Sequence, residues 1–257
     1  MKNKPLLIVL GEPNSIFSEL LFKVYKKKII QTYNKPVLVI GSEKLIKSQM
    51  KFLNYSFKIK KHKSYDVKNT KINNNFLNII DVNYDYNKVF DKISKSSKLY
   101  ISNCFKIALD LLKKNLASSL INGPISKEHF LEKKYLGVTE YLAKKTGIKK
   151  KPTMLIYNPS FSVCPITTHV PIIKVSKHLT KEKIINDVQN IDNFYKKYLN
   201  KKPNFAILGL NPHCESIEKN NEEELIIKPA IKLLIKKKIK IDGPYSADTF
   251  FLKKNLT

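Results

Sequence analysis

The sequence contains no tryptophan and no arginine: all 48 of its basic residues are lysine. Cysteine is limited to Cys104, Cys164 and Cys214, and glycine to 7 positions in 257 residues. Each shortage excludes something. Three widely spaced cysteines, odd in number, cannot form the disulfide framework of a secreted domain, and a reducing cytoplasm is the expected setting. No apolar run approaches the ~18 residues that span a bilayer. The basic, apolar start through Leu6–Leu10 stops at Gly11-Glu12-Pro13, too short for a signal-peptide core. The missing arginine bears on the formal charge of +27. Lysine neutralises phosphate, but arginine is the side chain that forks onto phosphate and reads guanine edges. The lysines are also dispersed, in short groups such as Lys26–Lys28, Lys149–Lys151 and Lys236–Lys238. With abundant Asn, Ile, Tyr and Phe, they read as the codon bias of an A+T-rich genome, so a nucleic-acid partner is not expected. A positive field still favours an acidic or phosphorylated substrate.

What is present is enough for a globular protein: 42% of residues are hydrophobic, and the length suits one or two domains. Leu6–Leu10 and Val37–Ile40 read as buried strands, each followed by a helix, over Ile16–Lys27 and Glu43–Phe52, the second capped by Ser42. Strand and helix in alternation predict a parallel α/β sheet. Short strands are expected around Phe57–Ile59 and Leu77–Val82, then a helix over Lys98–Asn115 and a strand at Ser118–Ile121. The turn at Gly123-Pro124 is the expected boundary between domains 1–123 and 124–257. Beyond it the pattern predicts a short helix Thr139–Lys145, a strand pair Met154–Tyr157 and Phe161–Thr167, and a helix from the cap Thr180 to Leu199. A strand Phe205–Leu210, a helix Glu222–Lys238 kinked or broken at Pro229, and a strand Ile239–Ile241 complete it.

Chemistry-bearing residues gather after predicted strands, where open α/β sheets bind ligands. His169 follows Phe161–Thr167 and His213 follows Phe205–Leu210. Two imidazoles with a carboxylate, Asp248 or Glu215, suit a divalent metal, although each histidine could equally cap a strand end. Asn122-Gly123-Pro124-Ile125-Ser126-Lys127 offers close backbone approach at Gly123 and a cation at Lys127, or only a strand-to-helix turn with a solvated lysine. Thr139, opening a helix, could bind phosphate or serve as a cap. Gly11–Ser15 lacks the glycines of a dinucleotide fingerprint.

The ordered segments NGPISK (122–127), GVTEYLA (137–143), TTHVPI (167–172), GLNPHCE (209–215), EEELIIKPAI (222–231) and DGPYSADTFF (242–251) resemble the 4-hydroxythreonine-4-phosphate dehydrogenase family of vitamin B6 biosynthesis. The resemblance runs from Gly11 to the end of the chain. It implies an α/β fold of the isocitrate/isopropylmalate dehydrogenase type, a two-domain α/β/α sandwich with a cleft between domains, working as a cytoplasmic homodimer. It implies NAD-dependent oxidation of 4-phosphooxy-L-threonine, loss of CO2 giving 3-amino-2-oxopropyl phosphate, and a divalent cation (Zn, Mg or Co) held by three histidines. His169 and His213 match the first two. Thr139 matches a substrate-binding position. Lys127 and Asp248 match catalytic-pocket positions, Lys127 facing the anionic substrate and Asp248 its amino group or the metal's outer shell.

Two departures follow. Val138 stands where the family usually has a histidine before the threonine of GHTE, removing one donor on the substrate side. The family's third metal histidine, in an MYHDQ segment, lies beyond the last residue, with further substrate contacts and much of the NAD site. The 257-residue form is therefore expected to be a fragment that binds metal weakly and lacks dehydrogenase activity. The rivals are relatives acting on phosphorylated four-carbon sugar acids, which lack the amino group, and an inactive truncated homologue.

Overall fold

The structure, a computed structural model, describes residues 4–132, 134, 135, 137–148, 152–214 and 218–252. It divides into two compact units, Met1–Lys149 and Lys150–Thr257.

In the first unit the strands are β1 (Leu6–Val9), β2 (Val37–Gly41), β3 (Ile59–His62), β4 (Leu77–Asp81) and β5 (Ser119–Asn122). They form one fully parallel sheet in the order β3-β4-β2-β1-β5. Its helices are α1 (Phe17–Lys26), the single turn α2 (Ile29–Thr32), α3 (Glu43–Phe52), α4 (Lys98–Lys113) and α5 (Val138–Lys145). β1 and β2 carry no polar side chain because both faces of the sheet are covered there. Ile8, Leu10, Val37 and Val39 pack with Leu21 and Phe22 of α1 and Ile46 and Met50 of α3. The alternate residues Leu7, Val9, Leu38 and Ile40 pack with Tyr100, Ile101, Cys104 and Phe105 of α4. Phe22 and Phe105 are wholly buried, each contributing about 2–3 kcal/mol of hydrophobic stabilisation. Ser42 caps α3, its hydroxyl accepting from the Leu45 N–H at 3.3 Å.

The unit continues past the expected boundary at Gly123-Pro124. Phe130, Leu131 and Tyr141 are buried in the α4 side of the core, with the Phe130 and Tyr141 rings 5.1 Å apart and both against Phe105. These aromatic contacts tie α5 to the first unit, and the division between units falls between Lys149 and Lys150 instead.

The second unit contains α6 (Val175–His178), α7 (Lys181–Phe194), β6 (Phe205–Leu208), α8 (Lys228–Lys236) and β7 (Ile241–Tyr245). β6 and β7 pair in parallel, and Ile241 packs with Ile184 and Val188 of α7 and Ala230, Ile231 and Leu234 of α8. Thr180 caps α7 by accepting from the Lys183 N–H at 3.1 Å. A π-helical turn, Tyr195–Leu199, continues α7 to the expected end. A second, Glu223–Ile227, precedes α8, so Pro229 lies in the first turn of a new helix where its missing N–H costs nothing. The expected strand pair Met154–Tyr157 and Phe161–Thr167 is absent: only one antiparallel bridge, Ile156 to Val163, joins these segments. Pro165 deprives the second segment of a ladder donor, and Ile156, Phe161 and Val163 are exposed rather than packed.

Candidate functional site

The predicted site residues fall on both units, and each group has its own geometry. In the first unit the turns after β1 and β5 lie back to back. Val9 and Asn122 are register partners, and the Glu12 N–H donates to the Pro124 carbonyl at 2.8 Å. Glycine makes this approach possible: a Cβ on Gly11 would lie 2.3 Å from the Pro124 oxygen, and one on Gly123 would lie 2.1 Å from the Leu10 oxygen. Sequence reasoning took the two turns separately; parallel pairing of β1 with β5 makes them one surface. Glu12 is buried beneath it. Burial pushes its carboxyl above the ordinary range, opposed by the Ser97 hydroxyl, which donates to it at 2.8 Å. His129 lies in the turn that follows, its amide donating to the Ser126 hydroxyl at 3.0 Å. Lys127 is exposed in the same turn.

Gly137, not Thr139, occupies the N-cap of α5, and no side chain caps it. Thr139 is exposed in the first turn, so its hydroxyl and the free N–H groups of that turn face water. Val138 packs against the core cluster of α4. An apolar side chain at this position serves packing; the imidazole of the family pattern would be partly desolvated here.

In the second unit, His213 lies beyond the carboxyl end of β6 and Asp248 beyond that of β7. Because β6 and β7 are parallel neighbours, the two reach the same edge. His213 Nδ1 is 3.3 Å from Asp248 Oδ2. The Ser246 hydroxyl donates to Asp248, and this bond, followed by the nearby His213, holds the carboxyl below its ordinary value. Asp242, at the amino-terminal end of β7, accepts from the Tyr245 hydroxyl and the Gly243 N–H, both at 2.8 Å, and its carboxyl is lowered by them.

His169 does not follow a strand. It is exposed in an irregular segment at φ 56°, after the single Ile156–Val163 bridge. Glu215 lies outside the described residues. Among the described residues no three His, Cys, Asp or Glu side chains are placed to share a metal ion. The His213–Asp248 pair has donors of the right chemistry. Their separation is about that of two ligands on one tetrahedral ion with ~2.05 Å bonds.

One carboxylate that the motif reading did not single out organises this edge. Glu223 is 1% exposed, and its Oε1 accepts from the Leu210 and Asn211 N–H groups, both at 2.8 Å. Its Oε2 accepts from the Asn211 side-chain amide at 2.7 Å. Burial raises its carboxyl, but these bonds outweigh burial and leave it lowered. The signal in the sequence is an acidic residue at the start of an apolar helix, within reach of the strand-end loop.

Residues 32–257 match the family described as "Pyridoxal phosphate biosynthetic protein PdxA". The chain belongs to this family. A PdxA relative, 4-hydroxythreonine-4-phosphate dehydrogenase of Sulfurihydrogenibium sp., is 37% identical over 251 residues, which are 96% of this chain and 75% of that protein. A relative from Oceanobacillus iheyensis, 27% identical over 98% of this chain and 77% of its own length, bears the provisional name D-threonate 4-phosphate dehydrogenase. The crystal structure of 4-hydroxythreonine-4-phosphate dehydrogenase from Klebsiella pneumoniae superposes with a TM-score of 0.83 at 22% identity, over 98% of this chain and 78% of that one. It shares the α/β dehydrogenase-type fold. PdxA membership makes the chain an oxidoreductase-family member of pyridoxal phosphate biosynthesis. It spans about three quarters of the length of these relatives. Among the described residues no helix is long and apolar enough to cross a membrane.

Proposed function

We propose that this chain serves the NAD-dependent, divalent-metal-dependent oxidation and decarboxylation of 4-phosphooxy-L-threonine to 3-amino-2-oxopropyl phosphate. The observation that carries the reading is the His213–Asp248 pair at the carboxyl ends of two adjacent parallel strands, in a chain of the PdxA family. When bound, a divalent cation supplies Lewis acidity at the carbinol being oxidised and NAD accepts the hydride. His213 and His169 offer imidazole donors, and Asp248 orients His213 or meets the substrate amino group. Lys127 offers its ammonium to the anionic substrate, and Thr139, with the free N–H groups of α5, suits its phosphate. The lysine-rich surface favours encounter with such an anion. Three free thiols fit a reducing cytoplasm. Ile172 and Ile173, 91% and 84% exposed, are apolar surface of the kind a homodimer would cover.

The test follows NADH formation with 4-phosphooxy-L-threonine, before and after chelation of metal. Turnover that is abolished by chelator and restored by Zn, Mg or Co supports the reading. A second reading, oxidation of a phosphorylated four-carbon sugar acid, is favoured by Val138 in place of a substrate-side imidazole. Turnover of 4-phospho-D-threonate in preference to the amino acid would select it. No turnover of either, with metal and NAD bound, would leave an inactive homologue.

A further inference from the structure

We infer that Glu223 is a positioning residue: it fixes the backbone of Leu210 and Asn211 so that His213 is presented beside Asp248. The inference rests on the reading of His213 as a metal donor. It goes beyond that reading by assigning the geometry of the loop to a carboxylate far along the sequence.

The loop after β6 is unusual in its backbone. His213 and Cys214 are consecutive non-glycine residues in the left-handed region, each at φ 58°. Side-chain-bearing residues pay roughly 1–2 kcal/mol each for this conformation, and two in succession persist only where the surroundings over-determine them. The surroundings here are specific. Gly209 donates its N–H to the Tyr245 carbonyl at 2.9 Å, which anchors the loop to β7 at one end. A Cβ on Gly209 would lie 2.5 Å from the Cys214 sulfur and 3.1 Å from Glu223 Oε1, so the loop folds back onto its own start.

Between these points Glu223 accepts two backbone N–H groups with one oxygen and the Asn211 amide with the other. The Asn211 amide also reaches Glu222 Oε2 at 3.1 Å. Nothing else in the described structure takes the Leu210 and Asn211 N–H groups. The π-helical turn Glu223–Ile227 places Glu223 under the loop, while Ile227 from the same turn is anchored in the core with Ala230, Ile231 and Leu234. The carboxylate is thus held on a packed element, and it transmits that rigidity to the strand-end loop. Hydrogen bonds to a charged, buried acceptor are the strong kind, and removing the acceptor leaves two part-buried donors without their partner.

Glu223→Gln is the decisive variant. The amide keeps one carbonyl oxygen for the backbone donors but turns an N–H2 toward the Asn211 amide, so the clamp is broken on one side with little change of volume. Leu234→Val, in α8 and in the core that also holds Ile227, is the control for simple loss of stability. Co2+ binding to the full 257-residue chain is measured by calorimetry, with thermal melting of each variant. The expected result is a loss of Co2+ affinity of about tenfold or more in Glu223→Gln and no loss in Leu234→Val at a comparable melting point. Equal loss in both variants, or wild-type affinity in Glu223→Gln, overturns the inference. If Glu223→Gln does not fold, Asn211→Ala removes one arm of the clamp and is expected to weaken Co2+ binding severalfold; unchanged binding then overturns it. Absence of Co2+ binding by the unaltered chain counts against the metal reading alone. In that case the metal-free protein decides: loss of the nuclear Overhauser contact between the His213 ring and the Asp248 side chain in Glu223→Gln supports positioning, and its retention overturns it.

Discussion

At the scale of single residues, close approach and burial set sharper constraints than charge. Gly123 has no positive φ, yet a methyl group there would lie 2.1 Å from the Leu10 carbonyl oxygen, a backbone atom just past β1. Gly123→Ala is expected to destabilise the first unit by about 3 kcal/mol, the upper range for overpacking, as read from urea unfolding. A change below ~0.5 kcal/mol would show that the two strand-end turns are not so closely apposed. Cys104 gives a pH-dependent test. Burial is the main cause that pushes its thiol up to about 12, with small opposing contributions from hydrogen bonds. Only the thiolate reacts, so at pH 8 almost none of Cys104 is reactive in the folded state. Cys164, raised to about 11 by burial, stays slow by the same argument. Labelling with a disulfide reagent at pH 8 is expected to spare Cys104 until denaturant is added. Its reactivity should rise as pH rises, since deprotonation is what burial opposes. Prompt labelling of all three thiols in native buffer would contradict the packing of α4 against β1 and β2.

At the scale of elements, capping and pairing separate what sequence reasoning reached from what it missed. Ser42 and Thr180 were legible as caps because a hydroxyl residue before an apolar 3.6-residue period has a local meaning. Both accept the expected backbone N–H. Ser42→Ala is expected to cost about 1 kcal/mol or slightly more, because Ser42 is buried and the Leu45 N–H finds no water there. Thr180→Ala, at a cap open to solvent, is expected to cost about half as much. Equal costs would mean that burial at the α3 cap adds nothing. The strands of the first unit were equally legible, since Leu6–Leu10 and Val37–Ile40 are apolar on both faces. The run Phe161–Thr167 looked similar and is not a strand. Its apolar residues have no ladder partner beyond one bridge, and Pro165 interrupts the donors. This removed the strand that was to place His169, whereas β6 and its neighbour β7 do place His213 and Asp248 together. That neighbourhood depends on which strands pair, and local periodicity carries no record of pairing. Glu223 was missed for the same reason. Its partners at Leu210 and Asn211 are remote in sequence, and an acidic residue opening a helix has an adequate local explanation in the helix dipole.

At the scale of the whole molecule the governing quantity is the excess of 48 lysines over 21 acidic residues. Two electrostatic effects oppose each other. Local pairs such as Lys47–Glu43 and Lys114–Asp110 are attractive, but their lysines are more than half exposed and such pairs contribute only ~0.3–0.5 kcal/mol each. The net charge of +27 acts everywhere at once, and its self-repulsion favours expansion. Salt screens both, the Debye length falling from about 30 Å at 0.01 M to about 8 Å at 0.15 M. Contacts at 3 Å lie inside even the shorter length, whereas repulsion between lysines spread over the surface acts across distances that salt removes. Added NaCl should therefore weaken the repulsion more than the pairs. The melting temperature is expected to rise by roughly 3 °C between 10 mM and 200 mM NaCl, the equivalent of about 1 kcal/mol for a chain of this size. A fall over that range would mean that the ion pairs outweigh the repulsion. The lysine excess would then be a stabilising network rather than a uniform positive surface.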